Sequence, residues 1–358
     1  MFSHYKTYAT ILALSFLVSW LATPWVSRLA FKLGAIDIPN ERKVHTKPMP
    51  RLGGIAIFLG MCLPWFGLYI VENFISITFQ NYEKLLLKLV GTSTLILLLG
   101  VYDDIKGANA RQKFAVQFVV ASFLYFSGLQ ITTLSNPFGP PIPLKALSMP
   151  VTVLWLVGLT NAINLLDGID GLATGVTSCI ALTLAIINIV QGNIVVALLT
   201  LSLAGASLGF LPHNFSPARI FLGDTGSLFM GYMLAGIGVF SLFKVTTLSF
   251  IAVPFLVFGL PLYDTLSVMF RRARAGTPLF TADRSHLHHR LLALGWQQRD
   301  AAIFLCSISA FMGALAVFLT LNEAREVTIF TWGVIIALAG ALRLMSKRAP
   351  SSNASNNP

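Results

Sequence analysis

Two adjacent carboxylates, Asp103 and Asp104, close an apolar run and are followed by Lys106, Arg111 and Lys113. Like charges side by side either raise a pKa or recruit a cation. A charge at the bilayer centre costs about 2.5–3.5 kcal/mol, which puts the pair at a water-accessible helix end. The bland alternative is a solvated terminus paired to Lys106. Farther along, Asn164, Asp167 and Asp170 fall three residues apart. If that stretch is helical, all three stack on one face. A ladder of oxygen donors suits a hard cation, Mg²⁺ or Mn²⁺, rather than zinc, and Gly168 and Gly171 let another backbone or a bulky ligand approach. Gly223-Asp224-Thr225-Gly226-Ser227 opens another apolar run. Small residues at a helix N-terminus expose N–H groups to phosphate oxygens, while Asp224 either holds a metal or caps the helix.

A basic and imidazole patch, Arg284, His286, His288, His289 and Arg290, lies in the longest polar insertion, 271–298. Without a Cys partner or HExxH spacing it fits anion recognition better than zinc, with Arg supplying bidentate phosphate contacts. Lys43, His45, Lys47 and Arg51 form a second basic set ended by Gly53-Gly54, with an ordinary basic membrane-flanking loop as the alternative. Asp264 reads as a carboxylate tying a helix end to Arg271-Arg272. No GxxxxGK[ST] occurs, so a nucleotide is not held as a P-loop holds ATP. A hard-cation site beside carboxylates and basic patches implies phosphoryl transfer, which needs positioning and charge neutralisation more than covalent help.

These residues interrupt a chain that is 55% hydrophobic and only 11% charged over 358 positions, whereas a soluble domain carries about 25% charge. The fold class is therefore all-α, a polytopic integral membrane protein. A span needs about 20 apolar residues, which gives about eleven transmembrane helices: 8–30, 52–72, 85–101, 113–130, 149–165, 172–190, 193–211, 227–243, 248–269, 299–320 and 327–344. The first is too long for a signal-peptide core and is read as retained. Of the 25 Lys and Arg, six fall on one set of loops and ends and nineteen on the other. The positive-inside rule makes the second set cytoplasmic, with the N-terminus outside and the C-terminus inside. The motif loops near 31–51, 102–113, 164–172, 212–226 and 271–298 all fall on that side. One transmembrane catalytic domain is expected over 1–348, followed by a disordered tail at 349–358. The net charge of +11 is dispersed over short loops, which points to anionic headgroups and an anionic substrate rather than nucleic acid. Cys62, Cys179 and Cys306 lie in apolar runs with no paired spacing and read as small hydrophobes.

Taken in order, Asp37 to Asn40, Lys43 to His45, Pro50 to Gly54, the Asp103-Asp104 pair, Asn164 to Gly171, Phe221 to Ser227 and Ser285 to His289 resemble the motifs of the polyprenyl-phosphate N-acetylhexosamine-1-phosphate transferase family. The likeness covers nearly the whole chain. It implies ten or eleven helices in a bacterial inner membrane around a cytoplasmic active-site cleft. Its expected reaction moves a sugar 1-phosphate from a UDP-N-acetylhexosamine to polyprenyl (undecaprenyl) phosphate with Mg²⁺, giving a pyrophosphate-linked lipid and UMP. By resemblance Asp224 is the metal ligand, assisted by Asn164. Asp103 and Asp104 face the lipid phosphate, one of them a candidate base, and Asp167 and Asp170 are acids needed for activity. Asn214 lies near the nucleotide, Arg284, His286, His288 and His289 grip the donor pyrophosphate, and Lys106 and Lys113 line the cleft. His45 and Arg51 join them as the second anion-binding set. Membrane lipids and a second copy of the chain, as a homodimer, are the other partners this admits.

Two rivals remain. The phospho-N-acetylmuramoyl-pentapeptide branch carries a Pro-x-His-His-His run followed by Phe-Glu, where this chain has Asp283-Arg284-Ser285-His286-Leu287-His288-His289-Arg290. That departure, with Pro261-Leu262-Tyr263-Asp264, favours UDP-N-acetylglucosamine as donor, feeding O-antigen, teichoic-acid or common-antigen synthesis. A cation-coupled transporter would explain membrane carboxylates, but the acids gather at one set of helix ends while the opposite halves are nearly uncharged.

Overall fold

Hydrocarbon leaves no partner for a free backbone N–H or C=O, so long apolar runs form helices. The computed structural model describes residues 2–39, 47–71, 73–134, 141–241, 252–276 and 286–322, with isolated positions between 333 and 340. Helix α1 (Phe2–Leu33) leads to a short antiparallel pair, β1 (Ile36–Asp37) and β2 (Met49–Pro50), and then to α2 (Gly53–Cys62). Next come α3 (Gly67–Ile70), α4 (Phe74–Asn81), α5 (Glu83–Lys106) and α6 (Ala110–Phe126). A second two-stranded pair, β3 (Thr133–Leu134) and β4 (Ile142–Pro143), precedes α7 (Ser148–Leu166), α8 (Leu172–Val190), α9 (Ile194–Asn214) and α10 (Gly223–Ser241). The remaining helices are α11 (Ala252–Val257), α12 (Gly259–Ala275), α13 (Leu287–Ala293) and α14 (Gln298–Leu321).

Among the described residues seven helical segments are long and apolar enough to cross a membrane, not the eleven read from the sequence. Three of the four differences have a local cause. The run at 113–130 becomes α6, whose 17 residues span about 26 Å against a core of about 30 Å. The run at 227–243 becomes α10, rich in glycine and small polar residues and buried along nearly its whole length; a helix wrapped by other helices need not be apolar toward lipid. The run at 248–269 is broken at Phe258, between α11 and α12, where Pro254 and Pro261 each withhold an N–H. The run at 327–344 lies largely outside the described residues. The expected helical ladder of Asn164, Asp167 and Asp170 also fails. Helix α7 stops at Leu166, Asp167 has non-helical torsions (φ −77°, ψ 49°), and the chain turns through Gly171 at φ +76° before α8 begins.

Helix α10 is the hub. It packs against α5, α7 and α2, with α8 and α9 behind it. Close approach is built in: a Cβ on Gly54 would strike the backbone at Thr225-Gly226, and one on Gly100 would strike the backbone at Asp224-Thr225. Indole N–H groups tie other helices together, Trp65 to Ser202 Oγ at 2.8 Å and Trp155 to the carbonyl of Ala235 at 3.0 Å. Many hydroxyls inside the spans bond their own helices, as in Thr160 to the Leu156 carbonyl and Thr200 to Val196, the usual refuge of a hydroxyl in an apolar helix.

Candidate active site

Helix ends from distant parts of the chain meet at the N-terminus of α10. Its first N–H groups have no partner within the helix, and Asp104 at the end of α5 supplies one. Asp104 Oδ1 accepts from the Asp224 N–H (3.1 Å), and its Oδ2 accepts from the Thr225 N–H (3.0 Å) and hydroxyl (2.6 Å). The carboxylate is 8% exposed. It therefore works as an N-cap delivered from another helix, where a negative charge also meets the positive end of the dipole. Gly223, at φ +71°, lies against this carboxylate, where a Cβ would collide with it. The cap that sequence reasoning offered for Asp224 belongs to Asp104.

Asp103 points the other way. Its Oδ1 accepts from the Ala108 N–H (2.5 Å) and its Oδ2 from Lys113 Nζ (3.1 Å). The same ammonium donates to Asp224 Oδ2 at 2.5 Å, and the Asp103 and Asp224 carboxylates lie within hydrogen-bonding reach of each other. Lys113 is thus a cation wedged between two acids. Asn164 Nδ2 donates to Asp224 Oδ1 (3.1 Å) and to Ser227 Oγ (2.8 Å), which leaves its carbonyl oxygen without a partner among the described residues.

Asp167 and Asp170 flank this centre from the α7–α8 turn. Burial first, then the carboxylates of Asp224 and Asp104, push the Asp167 carboxyl well above the usual range; Arg51 opposes them and Asp170 adds to them. Asp170 Oδ2 accepts from the Ala218 N–H (3.0 Å), which anchors the segment between α9 and α10. Asn214, 3% exposed, accepts from the Thr174 hydroxyl (2.8 Å) and donates to the Ile220 carbonyl (3.1 Å). Its amide braces that same segment from below.

The first basic loop joins by its backbone. Gly53 and Gly54 donate to the carbonyls of Phe221 and Leu222 (3.2 and 3.3 Å), and the Phe221 N–H donates to Pro50 (2.9 Å). Arg51 pairs with Asp37 at 2.9 Å, so its guanidinium is shared with a carboxylate of its own loop. Lys106 ends α5 exposed to solvent. His45 and Arg284 lie outside the described residues.

The histidine segment reaches the acidic turn from α13. His288 is 1% exposed, both its ring nitrogens lack a partner among the described residues, and its Nε2 lies where a Cβ on Gly168 would sit. Burial, reinforced by His289 and His286 and opposed by Asp264, lowers its pKa to about 3, so this imidazole is neutral. Its ring stacks on His286 (centroids 5.9 Å, 8° between planes) and meets His289 at 4.2 Å. Asp264 is a partnered carboxylate as expected, with a different partner: its oxygens accept from His286 Nδ1 and the Leu287 N–H, both at 2.8 Å. Sequence reasoning missed Thr225 as a donor to Asp104, Ser227 as a partner of the Asn164 amide, and the contact of Gly168 with His288. The glycines inside both motifs were the available signal.

Whether a divalent cation suits this centre follows from its donors. Among the described residues no three His, Cys, Asp or Glu side chains converge as a full ligand cage. What converges is a pair of acids bridged by one ammonium, the unpartnered Asn164 carbonyl, and Asp167, whose ionisation is opposed by the acids around it. That set fits Mg²⁺, which takes one or two protein carboxylates and completes its shell with water and substrate phosphates.

Comparison with known proteins places these residues in context. The family model described as glycosyl transferase family 4 matches residues 86–242. The chain is 38% identical over 314 residues to the probable undecaprenyl-phosphate N-acetylglucosaminyl 1-phosphate transferase of Bacillus subtilis, covering 84% of each chain. It is 31% identical over 360 residues to the decaprenyl-phosphate N-acetylglucosaminephosphotransferase of Mycolicibacterium smegmatis, covering 93% of this chain and 87% of that one. To the phospho-N-acetylmuramoyl-pentapeptide-transferase of Staphylococcus aureus (strain JH9) it is 27% identical over 328 residues, 86% and 96% of the two chains.

Proposed function

Since the chain belongs to glycosyl transferase family 4, we propose that it transfers N-acetylglucosamine 1-phosphate from UDP-N-acetylglucosamine to undecaprenyl or another polyprenyl phosphate, releasing UMP and starting a cell-surface glycan. The names of the relatives at 31–38% identity support this donor over the muramoyl-pentapeptide one, whose relative stands at 27%. The single observation that carries the reading is Lys113 held between Asp103 and Asp224 at the N-terminus of α10. That is a water-accessible helix end built to gather cations and the anions that accompany them.

In the reaction an oxygen of the lipid phosphate attacks the sugar-bearing phosphorus. The new P–O bond forms as the bond to the uridine-bearing phosphate breaks, and UMP carries away the electron pair. A phosphate monoester is already largely ionised at neutral pH, so the acceptor needs orientation more than deprotonation. Lys113, with Lys106 at the rim, attracts it, and Asp103 holds the ammonium in place. Asp224 and Asp167, with the Asn164 carbonyl, would hold Mg²⁺, which supplies neutralisation of the charge that builds on the pyrophosphate. His286, His288 and His289, with Arg284 and His45 from the basic loops, take the donor side. Asp104, Asn214, Asp170 and Arg51 hold the frame. The bias of Lys and Arg toward one set of loops supports a cleft on the cytoplasmic face of a bacterial plasma membrane.

The test is UMP release by the purified protein in lipid nanodiscs. Release is expected only when UDP-N-acetylglucosamine, polyprenyl phosphate and Mg²⁺ are all present. Absence of turnover with every UDP-N-acetylhexosamine offered would reject the reading.

A further inference from the structure

The Asp264 carboxylate has no place in the chemistry above, yet it is among the most enclosed charged groups in the protein. It is 1% exposed, on a helix that contributes nothing else to the acidic centre. Its two oxygens are divided between two tasks. Oδ1 takes the N–H of Leu287, the first residue of α13, and Oδ2 takes Nδ1 of His286, the residue just before it. A buried carboxylate requires such donors, but the choice of donor matters. Accepting from Nδ1 fixes that nitrogen as a donor and aims Nε2 away from α12; for Nε2 to donate as well, to a second anion, the ring must carry both protons. Nε2 has no partner among the described residues. From His286 the arrangement continues to the stacked ring of His288 and on to Gly168, between the two acids of the α7–α8 turn.

Resting on the proposed transferase reading, we infer that Asp264 is a positioning residue for the donor: it sets the orientation and charge of His286, which presents Nε2 to a phosphate oxygen of the UDP-sugar. Asp264 does not touch substrate. Its effect passes through His286 and is confined to the donor side, since in the proposed reaction the lipid phosphate belongs to Lys113.

Asp264→Asn separates this role from a structural one. The amide oxygen still accepts the Leu287 N–H, so α13 stays docked, but the NH₂ must face Nδ1, which forces a neutral ring with the opposite tautomer. The expected result is a rise of about 3- to 10-fold in KM for UDP-N-acetylglucosamine, because the Nε2–H still reaches the phosphate oxygen but without the charge that strengthens the bond. KM for polyprenyl phosphate should stay within about twofold, with the thermal midpoint near that of the wild type. In a His286→Ala background the same substitution should cost almost nothing more, because the two residues act as one unit. Equal losses in both backgrounds, an unchanged donor KM, or a parallel loss of both KM values with a lowered thermal midpoint would each overturn the inference. A wild-type protein that releases no UMP would instead overturn the function itself, so the two failures are distinguishable.

Discussion

At the N-terminus of α10 every carboxylate oxygen of Asp103, Asp104 and Asp224 has a donor, whereas on α13 a nearly buried His288 has no partner for either nitrogen among the described residues. The sequence reading made the first a cation site and the second an anion-recognition patch. The acidic one is preorganised: its partners are helix ends and a lysine fixed by the fold. The histidine one is held by packing, by a single carboxylate behind it, and by a glycine that leaves it room. Preorganised charge is where transition-state stabilisation comes from, while a packed imidazole cluster is suited to shaping a recognition surface. The difference divides the cleft into a part that performs the transfer and a part that selects the donor.

The most severe way to break this division is Asp224→Ala. Transfer should fall by about 10³-fold, equivalent to several kcal/mol of lost charge stabilisation, while KM for the UDP-sugar changes little. A variant whose donor KM rises in step with its loss of turnover would show that the two regions are not separate. Asp104→Ala divides the acidic side itself. It orphans two N–H groups and a hydroxyl at a buried helix start, and should lower unfolding stability by about 2–3 kcal/mol, read as a fall in thermal midpoint in detergent. An unshifted midpoint would return Asp104 to a purely chemical role.

The smallest effect sharpens the histidine side. The pKa of His288 is about 3 in the folded protein against 6.5 when free. Between those values the unfolded chain binds the proton and the folded one does not, so stability falls as pH drops from about 6.5 toward 3. His288→Gln should flatten that limb of the thermal-midpoint profile, and an identical profile in both proteins would mean that the ring is already solvated.

How much of this was legible is best seen residue by residue. Membrane class and the polar clusters follow from composition, because a charge in a greasy chain is costly wherever it sits. The meeting of Asp103, Lys113 and Asp224 was legible only through resemblance, since they lie up to 121 residues from Asp103 in sequence. The Asn164–Asp170 ladder was misread because spacing by three was weighed above Gly168 and Gly171, which end a helix more reliably than acids continue one. The basic set of Lys43, His45, Lys47 and Arg51 was read as an anion site ended by Gly53-Gly54, yet the backbone of those two glycines pairs with Phe221 and Leu222. Backbone hydrogen bonds between distant loops leave no pattern in side-chain types. Asp264 found a histidine rather than its neighbouring arginines for the same reason: the nearest charge in sequence is not the nearest in space.

The clamping of α10 has a consequence for how such a protein can change. Asp104, Gly54, Gly100 and Asn164 press on its first turn from α5, α2 and α7, so almost any substitution there disturbs several helices together. Among the described residues helix α13 meets the α7–α8 turn through His288 at Gly168, and is tethered behind by Asp264. Evolution toward a new sugar therefore has an inexpensive route at α13 and a nearly closed one at α10: the donor can be exchanged while the machinery that moves phosphate is inherited intact.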